Sequence, residues 1–514
     1  MADTAQMQAC DQWTIDQLGL PGIVLMECAS RAVYQKAFEL LGGAAGKNVH
    51  IWCGRGNNGG DGFAVARHLK NAGALPQVYL LGEISNLKGD AAANAALFTK
   101  LGGVIHEVKK RTPQHLPPDR SDLIIDALLG TGFKGKPHPE FASAIEHINA
   151  AGVPVLAVDI PSGVEADTGA ASGAVVKAAA TITFGLWKRG LLLSPGRELA
   201  GEVTVADIGI PPAAVEAQDI RVNLIESLDI ELPPRPKTMH KGEAGHVFIL
   251  AGSPGMTGAA VLTAQSAMSA GAGLVVVGLP QSLNSIFEIK VTEAMSLPLP
   301  ETTNATLAPE AFDLIIPKLE WAHTIAIGPG LGCSPETAAL LKLILEYLRL
   351  NHPNKTVVID ADGLNLLSEN RELITNLPPQ TILTPHPGEL ARLVQSSSAD
   401  INRNRIESAL DAAKLLKVIV VLKGSPTVTA DPEGRAFINP TGNPGMATGG
   451  SGDVLTGVIA ALAARGTPPL EAAWKGAYLH GEAGDRAAEK KGMAGLLAGD
   501  ICVLLPEVFK LYEE

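Results

Sequence analysis

The chain has 514 residues, 46% of them hydrophobic but only 4% aromatic, with 55 Gly and 35 Pro. That length exceeds one hydrophobic core and predicts about two to four domains, and the composition excludes a disordered or fibrous chain in favour of an Ala/Val/Gly-rich α/β enzyme. Acidic residues outnumber basic ones, 53 to 41, for a net charge of −12, and there is no concentrated Lys/Arg run, which argues against nucleic acid as a partner.

Cys10, Cys28, Cys53, Cys333 and Cys502 show neither a CxxC motif nor metal-ligand spacing, and read as reduced thiols of a cytosolic protein. The stretch Met1–Gln6 has no basic or apolar leader region, and no apolar run approaches the roughly 18 residues of a membrane span. A soluble, cytoplasmic protein with no membrane partner is expected, acting on small molecules and assembling as a homo-oligomer.

In chain order, residues 3–19 have roughly helical spacing of apolar positions and end at Leu20-Pro21-Gly22; a second helix is expected over Val24–Leu41, closed by Gly42-Gly43. Asn48–Cys53 reads as a strand, followed by a Gly-rich turn, Gly54 to Gly62, and a helix over Phe63–Ala72. Gly54, Gly56 and Gly59 have the spacing of a dinucleotide fingerprint, a weak signal alone. Asn57, Asn58 and Asp61 add amides and a carboxylate, the groups with which a loop grips a polar ligand or a hard cation. Two more predicted strands end in carboxylates: Asp122–Asp126, before Ala127–Lys136, and Val153–Asp159, before Ile160-Pro161-Ser162-Gly163. Ligands of open α/β sheets sit outside the carboxyl ends of parallel strands, so Asp126, Asp159 and the Asn57–Asp61 loop are expected to converge. Lys134 and Lys136 suit a phosphate-bearing ligand.

Leu25-Met26-Glu27, the loop Gly56–Gly62, Asp126 to Gly132 and Asp159 to Gly163 resemble the YjeF N-terminal family, the NAD(P)H-hydrate epimerases, over roughly residues 1–215. The resemblance implies a Rossmann-like three-layer α/β/α domain. It implies contacts to the hydrated dinucleotide from Asn57, Asn58, Gly59, Gly60 and Asp61, from Gly130, Thr131, Gly132, Phe133, Lys134, Gly135 and Lys136, and from Asp159. It also implies potassium held by Asn58, Asp126 and Ser162. Cys28 and Ser30 depart from the Asn and Gly usual in the family's Leu-Met-Glu-Asn-Ala-Gly run. Asp159 is the candidate proton-transfer group.

Thr181–Leu186 and Gly201–Ile208 are expected to close the first domain. Pro211-Pro212 and Pro233–Pro236 bracket the most linker-like stretch, so the expected domains are 1–219 and 220–514. Six short, continuously apolar strands are then expected, over His246–Ala251, Leu274–Gly278, Thr324–Ile327, Thr356–Ile359, Thr381–Leu383 and Val418–Leu422. Helical stretches alternate with them, among them Gly258–Ala270, Ser334–Leu350 and Arg403–Leu416, which predicts a largely parallel sheet covered on both faces.

The strand ends again carry polar groups: Gly328–Gly332, Asp360 to Asn365, Thr384 to Glu389 and Lys423 to Thr427. Gly442–Asp453 follows, with Gly449, Gly450 and Gly452 before an apolar helix. Outward-pointing amides at a helix N-terminus make an anion site. Asp453 inside that site is repelled by the anion the loop attracts unless it handles a proton; the bland alternative is a helix cap.

A Gly-rich anion hole ending in Asp resembles the ribokinase-like superfamily. Together with Lys241–Gly245, Gly328–Gly332, Thr384–Glu389 and Lys423–Thr427, it resembles the YjeF C-terminal family, the nucleotide-dependent NAD(P)H-hydrate dehydratases, over roughly residues 225–510. The resemblance implies that Ala259, Gly330, His386 and Asp453 touch the hydrate. It implies that Lys423, Gly424, Ser425, Pro426, Thr427 and Gly452 touch ADP or ATP carrying magnesium, with Glu389 in its outer shell. The implied activity is repair of NADH-hydrate and NADPH-hydrate: epimerisation of the R and S forms, then nucleotide-dependent dehydration of the S form with Asp453 as general base. The alternative is a small-alcohol or vitamin-precursor kinase joined to a non-catalytic dinucleotide-binding module.

Overall fold

The computed structural model describes residues 1–108 and 120–513, which divide into two compact units, Met1–Ile220 and Arg221–Glu514. The first unit is built on seven parallel strands: β1 (Asn48–Cys53), β2 (Leu75–Leu80), β3 (Ile105–Glu107), β4 (Leu123–Ala127), β5 (Val155–Val158), β6 (Ala180–Phe184) and β7 (Glu202–Ala206). Their order is β3-β2-β1-β4-β5-β6-β7, which is doubly wound and reverses direction between β1 and β4. The middle strands are largely apolar because helices cover both faces: β4 and β5 are buried at every position, with Asp126 the one charged residue among them. One face packs Ile51, Phe63, Leu69, Phe98 and Ile125 together; the other packs Trp52, Ile124, Phe141 and Ile145.

The first two helices run Thr4–Asp16, with Asp3 accepting from the Gln6 amide as N-cap, and Gly22–Leu41, closed by a left-handed Gly42. The third begins at Asn57, not Phe63, and continues to Asn71. Asn57–Asp61 therefore form its first turns instead of an open loop. The glycines explain this: a side chain on Gly59 would overlap the Gly54 carbonyl, and one on Gly62 would lie 2.8 Å from the Ala127 Cβ. The helix N-terminus can therefore press against the ends of β1 and β4.

The second unit holds ten strands: β8 (Val222–Leu224), β9 (His246–Leu250), β10 (Leu274–Pro280), β11 (Met295–Leu299), β12 (Thr324–Ile327), β13 (Thr356–Ile359), β14 (Thr381–Leu383), β15 (Ile419–Leu422), β16 (Thr427–Ala430) and β17 (Ala436–Asn439). Their order is β11-β10-β9-β12-β13-β14-β15-β16-β17-β8, with antiparallel pairs only at β15–β16 and β16–β17. The six expected strands all form. The β16–β17 hairpin, the edge strands β11 and β8, and the 23-residue helix Pro469–Lys491 were not foreseen. Residues 222–224, read as linker, instead pair with β17. Three residues carry too little pattern to reveal an edge strand.

The helices Ser451–Ala464 and Thr257–Ser269 pack closely because Gly457 has no side chain; a Cβ there would overlap the Ser266 hydroxyl and lie 2.9 Å from the Ala267 nitrogen. Gly457→Ala is expected to destabilise this unit by roughly 1–3 kcal/mol through overpacking, seen as a lower midpoint in thermal unfolding. An unchanged midpoint would mean that the two helices separate freely.

Candidate functional site

In the first unit, three strand ends meet around one peptide. Asp126, the fourth residue of β4, is fully buried. Its Oδ1 accepts from the Ser162 hydroxyl at 2.6 Å and its Oδ2 from the Ser162 amide at 2.8 Å. The Ser162 hydroxyl oxygen accepts from the Leu129 amide at 2.9 Å, while the Asn58 side-chain amide donates to the Leu129 carbonyl at 3.1 Å. Asn58, Asp126 and Ser162 are thus gathered around the Leu129 peptide. Burial pushes the Asp126 carboxyl up to about 6, against the Ser162 and Leu128 hydrogen bonds. All the donors on it are neutral, so a monovalent cation would fit that carboxylate.

The rest of the predicted dinucleotide site is distributed around this node. Gly59, Gly60 and Asp61 are buried in the first helical turns, whereas Asn57 is exposed. Gly130 lies against Asn58, with 3.3 Å between its Cβ position and the Asn58 Cβ. Thr131 accepts from the Thr4 hydroxyl through its carbonyl, and the Gly135 amide donates to Glu165 at 2.9 Å. Gly132, Lys134 and Lys136 are exposed and Phe133 half-buried; Lys134 reaches Asp167 at 3.4 Å, so that cation is only loosely engaged.

Asp159 follows β5 with a left-handed φ of 65°. Its Oδ1 accepts from the Thr183 hydroxyl at 3.0 Å, the Phe184 amide at 3.2 Å and the Lys188 ammonium at 2.7 Å. Asp61 and Asp11 share this field. Burial raises Asp61 well above the carboxylate range, helped by Asp159 and Asp11; burial and Asp159 hold Asp11 at about 6 against Lys188. Sequence reasoning found Asp61 and Asp159 but missed Lys188 and Asp11. A lysine in Trp187-Lys188-Arg189 reads as surface, and an Asp inside an amphipathic helix reads as its solvent face.

In the second unit the polar groups again collect at carboxyl strand ends, where the order turns between β9 and β12. Gly252 donates to the Pro329 carbonyl and Gly328 to the Leu250 carbonyl, joining the two ends. Gly330, with φ 59°, sits where a Cβ would be 2.8 Å from Met256 and 3.1 Å from the Ala259 Cβ, so Ala259 and Gly330 are brought together.

Asp360, at the end of β13, is 1% exposed and is the hub that sequence reasoning left without a role. Its Oδ1 accepts from Lys423 at 2.6 Å and its Oδ2 from the Thr456 hydroxyl at 2.8 Å. Glu389 stands 3.9 Å from the same ammonium. Burial alone would lower the Lys423 ammonium, but Asp360 and Glu389 outweigh it and leave it raised. Burial raises Glu389 against the pull of Lys423. Gly452 approaches this pair: a Cβ there would be 3.2 Å from the Lys423 nitrogen and 3.4 Å from Asp360.

Asp453 lies in the first turn of the helix Ser451–Ala464, next to the left-handed Gly450. Among the described residues none hydrogen-bonds its carboxyl. Burial, with Asp360 and Asp362 adding and Lys423 opposing, pushes it up to about 7. A free carboxylate beside exposed helix amides, poised near neutrality, can take a proton from a substrate hydroxyl.

His386 is both cap and ligand candidate. Its Nδ1 accepts from the Gly388 and Glu389 amides at 3.0 and 3.4 Å, while the side chain remains 53% exposed. Burial, Lys423 and Arg392 lower its ring pKa below the ordinary imidazole value. The loop Lys423–Thr427 is held from below by the buried Arg405, which donates to the carbonyls of Leu422, Lys423 and Pro426. Thr427 opens β16, and its hydroxyl donates to the Gly424 carbonyl at 3.1 Å. The Gly-rich loop is braced by the helix Pro469–Lys491. Asp485 accepts from the Gly442 amide at 2.8 Å and Asn443 at 2.9 Å, and the buried, neutral His480 (burial lowers it to about 4) meets the Ser451 hydroxyl at 3.4 Å. These braces lie far along the chain in a helix whose polar positions look like an ordinary solvent face.

Fold and site together define a Rossmann-like domain joined to a ribokinase-like domain. Residues 22–190 match the model of the YjeF-related protein N-terminus, and residues 247–507 match that of NAD(P)H-hydrate dehydratase. The bifunctional NAD(P)H-hydrate repair enzyme Nnr of Moorella thermoacetica is 42% identical, with 100% of this chain aligned to 97% of that one. The Escherichia coli K12 enzyme of the same description is 37% identical, over 96% and 90% of the two chains. Among solved structures, a ribokinase-like superfamily protein of Enterococcus faecalis V583 superimposes with a TM-score of 0.50 at 27% identity, covering 57% of this chain and 96% of its own. The chain belongs to the bifunctional NAD(P)H-hydrate repair enzymes.

Proposed function

We infer that the protein returns hydrated NADH and NADPH to their reduced forms. The first unit interconverts the R and S hydrates, and the second dehydrates the S form with ADP or ATP. The observation that carries this reading is the unbonded Asp453 carboxyl, raised to about 7 at the mouth of a Gly-rich helix N-terminus.

Hydroxide at ring carbon 6 leaves poorly, so the hydroxyl is first made into a phosphate ester. Asp453 takes the hydroxyl proton while that oxygen attacks the terminal phosphorus, and the bond from phosphorus to the nucleotide breaks. The amides of Gly449, Gly450 and Gly452 stabilise charge on the transferring group. The carbon–oxygen bond then breaks with push from the ring nitrogen, phosphate departs, and loss of a proton from carbon 5 restores the ring double bond. Ala259, Gly330 and His386 hold the hydrate in this reading; Lys423, Gly424, Ser425, Pro426, Thr427 and Gly452 hold the nucleotide. Magnesium on the nucleotide would neutralise phosphate charge, with Glu389, a buried carboxyl at the same cluster, suited to its outer shell.

For epimerisation, Asp159 exchanges the proton, and Asn57, Asn58, Gly59, Gly60, Asp61, the turn Gly130–Lys136 and Asp159 contact the dinucleotide. Potassium at Asn58, Asp126 and Ser162 is supported by a buried carboxylate whose donors are all neutral. It would supply fixed positive charge at the crevice.

Phosphorus NMR separates this reading from a kinase. S-hydrate plus ADP or ATP should release one inorganic phosphate for each reduced nicotinamide restored. A stable phosphorylated product with no recovered reduced ring would overturn it.

A further inference from the structure

Lys188, like Asp11, is a charged residue of the first unit's crevice to which none of the roles above applies, and it is 1% exposed. A lysine is almost never so buried unless a partner holds it. Its ammonium donates to the Phe184 carbonyl at 2.6 Å and to Asp159 Oδ1 at 2.7 Å. The same Oδ1 takes the Thr183 hydroxyl and the Phe184 amide. Three donors therefore load one oxygen of Asp159, all from the end of β6 and the loop after it. Among the described residues, Oδ2 receives no hydrogen bond, and the side chain retains 14% exposure. The backbone is fixed as well: the Asp159 amide donates to the Ile182 carbonyl at 2.8 Å, in the left-handed conformation.

The surroundings of this pair are otherwise acidic. Asp11 faces it from the helix Thr4–Asp16, and Asp61 from the helix Asn57–Asn71. Asp11 Oδ1 is itself buried without a hydrogen-bond partner. Lys188 is the cation that the charges of Asp11, Asp61 and Asp159 share. Without it, three carboxyls would confront one another in a low-dielectric crevice, where like charges favour protonation.

We propose that Lys188 is the positioning residue of epimerisation, clamping one oxygen of Asp159 so that the other is left free for the substrate. This rests on Asp159 being the proton-transfer group. In each turnover Oδ2 takes the proton of the carbon-6 hydroxyl as the bond from carbon 6 to the ring nitrogen opens to an aldehyde, with the electron pair left on nitrogen, and returns it as the nitrogen closes on the other face, while Oδ1 stays on Lys188, Thr183 and Phe184. Lys188 touches neither the proton nor the substrate.

The test uses the full chain, whose own second unit reports the S form as it appears. Lys188→Met is compared with wild type for conversion of R-hydrate across pH, with dehydration of pure S-hydrate as the internal control. The acid limb of epimerisation should move up by about one to three pH units, and kcat at pH values below the wild-type limb should fall about 10- to 1000-fold in step with it, with KM little changed. Lys188→Arg, which keeps the charge, should leave the limb in place, and S-hydrate dehydration should not change in any variant. A merely structural ion pair would lower the unfolding midpoint without moving the limb. An unmoved limb and an unchanged kcat in Lys188→Met overturn the proposal. If that variant fails to fold, Lys188→Gln decides by the same criterion, because it retains a donor but no charge. Asp159→Asn separates the two levels: normal epimerisation there sinks the underlying role of Asp159, whereas an inactive Asp159→Asn beside a normal Lys188→Met sinks the Lys188 inference alone.

Discussion

Asp453→Asn should abolish dehydration of the S-hydrate, lowering kcat by about 10²- to 10⁴-fold while leaving nucleotide binding within a few-fold, because only the proton acceptor is lost. R-to-S conversion in the first unit should continue, so S-hydrate should accumulate. The same variant should be more stable. In the folded protein this carboxyl is raised to about 7, above the usual 3.8 of an unfolded Asp. Between those values the folded state binds more protons than the unfolded one, so this group's contribution falls as pH rises through that window and levels off above it. The thermal midpoint of Asp453→Asn should accordingly exceed wild type by a margin that grows from pH 4 to 7. Equal midpoints at pH 8 would contradict a buried, reluctantly ionised base. The wild-type dehydration rate should rise with pH through about 7, as ionisation of Asp453 requires.

Asp360→Ala should have the second large effect, on stability and rate together. The substitution leaves Lys423, raised by its partners, without its 2.6 Å contact, and strands the buried Thr456 hydroxyl. Breaking a buried pair from one side costs about 3–5 kcal/mol, and unfolding of the second unit should report it. Dehydration should fall strongly because Lys423 and Gly452 line the same cluster. Asp360 is also the second-largest cause raising Asp453, so any residual activity should have its acid limb at lower pH than wild type. A limb that stays in place would mean that burial alone sets the Asp453 carboxyl. Epimerisation should be untouched.

Much of this was readable from the chain. Short strands such as Thr356–Ile359, with Val357, Val358 and Ile359 in an unbroken apolar run, announce a parallel sheet because helices must cover both faces. Glycines clustered at strand ends marked both crevices, since a side chain on Gly59 or Gly330 would collide with backbone. What escaped was long-range or hidden by burial. Nothing local tells that Lys188 is interior, that Asp11 points inward, or that Arg405 carries the loop Lys423–Thr427 on its guanidinium. The helix start was misjudged at Asn57 because Asn and Gly are poor helix formers whose cost is offset by contact with β1 and β4. The β16–β17 hairpin was missed since Thr427–Ala430 alternates too briefly to stand out.

The central claim is that two units perform successive steps on one damaged cofactor. It is tested most directly by absorbance in the reduced-nicotinamide band, starting from a mixture of both hydrate epimers with magnesium, potassium and ADP or ATP. Recovery should run to completion in wild type and stop at the S share in Asp159→Asn. Wild-type recovery that itself stops at the S share would contradict an epimerising first unit, and no recovery with either nucleotide would contradict the account as a whole.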